Sequence, residues 1–256
     1  MDEYVVMFSG GVGSWAAAKR LRQQRPERPM RLLFCDTKTE DEDTYRFMRE
    51  AAANLDCELI EIADGRDIWQ VFRDRKFLGN TRVDLCSRIL KREISRAWLD
   101  KHADPDTAVV VIGVDWSETN RFDRMMPRWL PWRIVAPLVD QPYLSKNDMH
   151  AWAEREGLRK QRLYCMGAAH ANCGGGCVKM GQGGFARLHK AFPERFMEWE
   201  QREAEMREAL GDVAILRDRV GGDTKPMTLA TLRGRIEADD GQVDLFDIGG
   251  CGCFLD

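Results

Sequence analysis

The chain begins with an uninterrupted apolar run over residues 4–8, bounded by Ser9, Gly10 and Gly11. A short run stopped by turn residues predicts a strand buried on both faces. Residues 14–21 are strong helix formers, halted by Pro26 and Pro29. Residues 31–35 predict a second strand ending at Asp36. Across residues 43–55, Phe47, Ala51 and Leu55 recur every four positions, the stripe of an amphipathic helix. Residues 59–62 predict a third strand, 89–99 a further helix, and 108–112 a fourth strand stopped by Gly113. This alternation predicts an α/β fold whose parallel sheet is covered on both faces by helices.

Past Gly113 the pattern changes. Residues 115–133 are rich in Arg, Trp and Pro and predict an ordered loop over the sheet edge. Ser145 with Asp148 three positions on predicts a capped helix running to Glu156 and ended by Gly157. Residues 172–184 hold six glycines and two cysteines and predict a loop. A charged helix is expected over 193–210, with Phe196, Trp199 and Met206 toward one side. Beyond Gly211 the signals fade, and residues 249–253 read as a flexible tail. Two parts are expected: an α/β domain over 1–142 and a helical, Cys-bearing region over 143–256.

With 44% hydrophobic and 32% charged residues, the 256-residue chain has the composition of a folded enzyme, not a disordered segment. Lys+Arg minus Asp+Glu is 39 − 42 = −3, which gives no bulk attraction for nucleic acid. A local groove of Arg121, Arg124, Arg128 and Arg133 remains open, and Trp129 and Trp132 are read as a packed lid sooner than as base-stacking faces. No apolar run nears the ~18–20 residues of a membrane span. The opening residues lack a basic leader, so a cytoplasmic location without a membrane partner is expected. Five of the eight cysteines fall in two late clusters, Cys165/Cys173/Cys177 and Cys251/Cys253. That clustering suggests metal or sulfur chemistry more than disulfides; Cys35 and Cys57 read as core residues. Of the histidines, His170 lies beside the second glycine block, and His102, His150 and His189 read as surface residues.

Ser9-Gly10-Gly11-Val12-Gly13-Ser14 joins the first strand to the first helix. Glycines there let amide groups converge on an anion at a helix N-terminus, although the same glycines suit a plain tight turn. No lysine follows the last glycine, so this is not a Walker A loop, and G-x-G-x-x-G does not fit.

Strand–SGGxxS–helix resembles the PP-loop of the adenine nucleotide α-hydrolase superfamily. Further blocks agree in order. Residues 36–47 (DTKTE, then DTYRF) are similar to the segment after the second strand of PAPS-reductase-like proteins, and Cys86 to Arg92 to their cysteine-then-lysine segment. Gly113 through Glu118 to Arg121 is similar to a G-x-R-x-x-E-S-x-x-R signature. Pro137-Leu138 before a capped helix, and Asn172-Cys173-Gly174-Gly175-Gly176-Cys177-Val178-Lys179, complete the likeness over roughly residues 4–200. The resemblance implies a five-stranded sheet and an adenine nucleotide, ATP or PAPS, held by Ser9, Gly10, Gly11, Val12, Gly13, Ser14, Asp36, Thr37, Gly113, Glu118 and Arg121. Asp36 could orient Mg²⁺, and Lys91, Arg121 and Lys179 supply charge. Catalytic roles are expected for Asp36, Lys91, Cys251 and Cys253. A 4Fe–4S cluster, with zinc as the alternative, is expected on Cys86, Cys173, Cys177 and Cys253.

Two departures stand out. Gly13 replaces an aspartate common in ATP-cleaving members, and Lys38 replaces a glycine. Three functions stay open: adenylation by ATP followed by iron–sulfur or thiol-dependent sulfur transfer, reductive release of sulfite from APS or PAPS, and non-catalytic nucleotide sensing in a modification or defence complex. Expected partners are a tRNA or DNA acceptor and a thiol reductant or sulfur donor; a homo-oligomer is also compatible.

Overall fold

A computed structural model describes residues 2–80, 83–168, 170–218, 224–239 and 243–249. Strands β1 (Glu3–Met7), β2 (Met30–Cys35), β3 (Glu58–Ile62), β4 (Ala108–Val111) and β5 (Arg133–Val135) form one sheet in the order β3-β2-β1-β4-β5. Every pairing is parallel, with Tyr4 opposite Met30 on one side of β1 and Val109 on the other. The fold is therefore the expected α/β sheet. The Val and Leu runs of β1, β2 and β4 are buried because helices cover both faces.

On one face lie α1 (Val12–Gln24), α2 (Glu42–Leu55) and α7 (Lys146–Arg155), which bury Trp15, Phe47, Ala51, Leu55, Met149 and Ala153 against the sheet. A fully buried side chain such as Phe47 contributes about 1.5–3 kcal/mol over its exposed state. On the other face, α5 (Ile94–His102) and α6 (Thr119–Met125) bury Leu99, Phe122 and Met125. A third core joins α3 (Ile68–Arg75) to α9 (Gln182–Ala191), α10 (Pro193–Leu210) and α11 (Leu229–Ala238). Asp67 closes a capping box on α3, as Ser145 does with Asp148 on α7.

Several expectations are corrected. Residues 115–133 are short helical turns and α6, not a loop, and Arg133 already begins β5. Asp115 caps the first turn by accepting from the Ser117 amide at 2.9 Å. Trp129 and Trp132 are buried, which removes them as stacking faces. The helix expected from 89 begins at α4 (Leu85–Ser87) and runs through a π-helical turn (Arg88–Glu93) into α5. Gly183 and Gly184 lie inside α9, because a side chain at Gly183 would strike the Leu245 carbonyl. Past Gly211 the chain folds into the hairpin β6 (Leu216–Asp218) and β7 (Lys225–Met227), then α11. Glu203, fully buried, ties both parts down by accepting the Ile215 and Leu229 amides at 2.8 and 2.6 Å. Among the described residues, no helix is long and apolar enough to cross a membrane.

Candidate nucleotide and thiol site

β2 lies on one side of β1 and β4 on the other, so strand order reverses where the chain leaves β1. Ligands of open parallel sheets collect at that crevice. Residues 9–14 occupy it. Gly10 is left-handed (φ 73°), and a Cβ there would lie 2.6 Å from Thr44 Cγ2. Ser14 Oγ donates to the Gly11 carbonyl at 2.9 Å and stands 3.2 Å from Ser9 Oγ. Helix α1 starts at Val12 with no acidic residue in its first turn, so its positive end is uncompensated there.

Three groups press on this loop from outside it. A Cβ on Gly113 would lie 2.7 Å from the Ser14 nitrogen and Cα, so β4 meets the loop backbone to backbone. Tyr164 Oη stands 3.2 Å from the corresponding point on Gly11. Lys146 Nζ stands 3.5 Å from that point on Gly13. Neither Lys146, just inside the capped helix, nor Tyr164 carries a site signal in the sequence.

The next wall follows β2. Asp36 accepts from the Lys38 amide at 2.8 Å, Lys38 Nζ at 2.8 Å and Tyr45 Oη at 2.7 Å. Burial pushes its pKa up, but the hydrogen bonds from Lys38 and Tyr45 outweigh burial and hold it below the usual range. Burial, then the Asp36 hydrogen bond, pushes the Tyr45 phenol up. Asp36 is thus an anion already enclosed by donors. Thr37 Oγ1 donates to Glu40 at 3.1 Å.

Glu40 and Asp41 fasten the cysteine loop to this wall. The Glu40 side chain has no exposed surface; it accepts Lys91 Nζ at 3.4 Å and the Cys173 amide at 2.7 Å. Asp41 caps α2 and accepts Arg162 Nε and Arg195 Nη1, both at 2.8 Å. Arg195 also donates to the Gly174 carbonyl at 2.6 Å. Cys173 and Gly174 both adopt left-handed backbone (φ 52° and 62°). This conformation folds the loop back so that the Cys173 and Cys177 thiols hydrogen-bond to each other. The Cys173 pKa is raised by that bond, by burial and by the Glu40 charge, with Lys91 opposing.

Cys86 packs in the same apolar core as Cys173 and Cys177, while Cys165 is exposed. Among the described residues, no group of three or more His, Cys, Asp or Glu side chains is gathered closely enough to hold a metal. The described chain therefore offers a thiol pair, short of the four ligands of structural zinc or a cluster. Cys251 and Cys253, the expected tail thiols, lie outside the described residues.

On the β4 side, Arg121 Nη1 donates to Glu118 at 2.5 Å. Burial raises the Glu118 pKa, with Arg121 opposing. The four-arginine groove is corrected: Arg133 opens β5 opposite Val109, at the end of the sheet away from the loop, and pairs with Asp2 at 3.1 Å.

His150 is buried, against expectation, because α7 turns it onto Tyr164, with ring centroids 4.5 Å apart. His150 Nε2 and His170 Nδ1 are buried without a hydrogen-bond partner among the described residues. Burial, then nearby lysines, lowers each imidazole to about 4 from 6.5. Between those values the unfolded chain binds the proton and the folded chain does not, so both histidines withdraw stability as pH falls from 6.5 toward 4. His150→Leu should flatten that slope in melts at pH 7, 6 and 5; an unchanged slope would show that His150 is charged when folded.

The phosphoadenosine phosphosulfate reductase domain family matches residues 3–167. Among solved structures, the chain is similar to phosphoadenylyl-sulfate reductase from Candida auris in its phosphate complex (14% identity, TM-score 0.47, covering 66% of this chain and 79% of that one). It is also similar to NMN synthetase from Francisella tularensis (15%, 0.42, 65% and 72%). NH3-dependent NAD synthetase from Campylobacter jejuni is a further likeness (13%, 0.41, 94% and 86%). No curated protein matches the sequence. The family match spans more than half of the chain, from β1 through the Tyr164 that covers the loop, and the protein belongs to the phosphoadenosine phosphosulfate reductase domain family.

Proposed function

We propose that the chain is a PP-loop enzyme that holds an adenine nucleotide, ATP or PAPS, on the Ser9–Ser14 amides and carries out thiol-dependent sulfur chemistry beside it. The observation that carries this reading is the shared anchorage. Asp36 and Thr37 follow β2 at the loop's crevice, and Glu40, three residues on, holds Lys91 and the Cys173 amide at 3.4 and 2.7 Å. One short segment thus lines the nucleotide crevice and carries the thiol pair.

In the first form of the reaction, an acceptor attacks the α-phosphorus of ATP and pyrophosphate leaves. A persulfide loaded on a tail thiol by an external sulfur donor then attacks the adenylated carbon of the acceptor, tRNA or DNA among the candidates; AMP leaves, and a second thiol cleaves the S–S bond, forming a disulfide and freeing the thiolated product. This chain's part is to bind the phosphates through the loop amides and Ser14 and to keep charge on Lys91. A tail thiol, Cys251 or Cys253, would supply the nucleophile. A second form, sulfite release from APS or PAPS, is favoured by one observation: Gly13 leaves the loop without a carboxylate, and Lys146 stands beside it instead.

A turnover panel tests both. Pyrophosphate release from ATP is expected in the first form; sulfite release from PAPS with a thiol reductant is expected in the second. Cys251→Ser with Cys253→Ser should abolish sulfite release in the second form, and sulfur transfer but not pyrophosphate release in the first, while nucleotide affinity stays within about 2-fold. Neither product, with nucleotide still bound, would replace the catalytic reading with nucleotide sensing.

A further inference from the structure

Lys146 is the first residue of the ten-residue helix α7. A cation there is at the wrong end, since the N-terminus of a helix already carries partial positive charge. Ser145 and Asp148 are occupied with each other in the capping box. Lys146 Nζ instead comes to 3.5 Å from the Cβ point of Gly13, in the first turn of the thirteen-residue helix α1. The N-terminus of α1 and one ammonium group therefore meet at one spot. The counter-charge facing it is Glu118, which itself pairs with Arg121 at 2.5 Å. Local rules broken at one position, without a structural gain, mark a functional position.

Gly13 takes its meaning from this neighbour. A Cβ there would sit 3.2 Å from the Gly113 carbonyl and 3.5 Å from Lys146 Nζ, so a carboxylate at position 13 would fall within reach of the ammonium group. Such a residue would neutralise the spot before any ligand arrived. Glycine keeps both amide and cation directed at an incoming anion. The surrounding groups complete a wall contributed entirely from beyond β5: Lys146, Tyr164 over Gly11, and the buried His150 against Tyr164.

We propose that Lys146 is a phosphate-binding, specificity-determining residue of this loop, and that it selects nucleotides carrying at least two negative charges at the chain end seated beside Gly13. The proposal rests on the nucleotide reading above and names the residue that sets its charge preference. Lys146 is exposed, so its replacement removes charge without opening a core.

Calorimetric titration with ATP in EDTA tests it, using wild type, Lys146→Met, Lys146→Arg, Gly13→Ala and Gly13→Asp, each with a folded circular-dichroism spectrum. Lys146→Met should weaken ATP binding about 10-fold or more, the loss of a charge-assisted contact. Lys146→Arg should stay within about 3-fold of wild type, because the charge is kept. Gly13→Asp should bind more weakly than Gly13→Ala, and that excess should vanish when Lys146→Met is added. ATP affinity in Lys146→Met equal to wild type would overturn the role of Lys146 while leaving the nucleotide reading intact. Wild type that binds no ATP, AMP or adenosine 3′,5′-bisphosphate would overturn the nucleotide reading itself. Should Lys146→Met fail to fold, equal affinities in Gly13→Asp and Gly13→Ala would still count against the proposal.

Discussion

Glu40→Ala is expected to cost about 3–5 kcal/mol of folding stability, the range for breaking a buried ion pair at one end. The Glu40 and Lys91 side chains are 0% and 3% exposed, so water cannot replace the lost partner. The alanine also strands the Cys173 amide, which donates to Glu40 at 2.7 Å. An unsatisfied buried donor adds about 1–3 kcal/mol within that total. Glu40→Gln keeps an acceptor of the same shape for Cys173 and should cost less. Adding Lys91→Met to Glu40→Ala should recover part of the loss, since the buried ammonium that faced Glu40 is then removed as well. Urea unfolding of the four proteins measures this. A Glu40→Ala loss under ~1 kcal/mol would mean that the cysteine loop is not held by this carboxylate.

Gly113→Ala should damage nucleotide binding. The added carbon would lie 2.7 Å from the Ser14 nitrogen and Cα and 3.0 Å from the Gly13 carbonyl carbon. All three contacts are backbone, so no side chain can swing away, and the loop itself must move. Overpacking of this kind costs about 1–3 kcal/mol, and the same energy taken from loop geometry is roughly 5- to 150-fold in affinity. Equilibrium titration with ATP reads the effect, and a melting curve separates it from unfolding. Wild-type affinity in Gly113→Ala would show that the phosphates do not seat on the Gly13–Ser14 backbone. Gly234, with open space around its Cβ point, serves as the control position for an added methyl.

The sheet was legible because each buried strand is a dense apolar run and each covering helix a clear stripe: residues 4–8 became β1, and Phe47, Ala51 and Leu55 face the core. The fifth strand was not, because Arg133–Val135 is too short for any periodicity to develop. The phosphate loop could be read from its glycines, since their spacing reflects local backbone demands. Lys146, Tyr164 and His150 could not. Lys146, on α7, and Tyr164, beyond it, reach the loop from more than 130 positions away, and His150 packs against Tyr164. Glu40 carries no local signal, because its partners Lys91 and Cys173 are also distant in sequence. Asp41 had a local signal, an acidic residue just before an amphipathic helix, though its two arginines did not. The thiol pair was visible as C-x3-C, but its convergence with Cys86 into a metal site was not found among the described residues.

The central claim is that an adenine nucleotide seats on the amides that open α1. Amide chemical-shift mapping of the ¹⁵N-labelled protein with ATP tests it most directly. The largest shifts should fall on Gly10, Gly11, Val12, Gly13 and Ser14, with a second set at Gly113. Saturable shifts confined to another surface, such as the glutamate-rich groove between α10 and the start of α11, would contradict it.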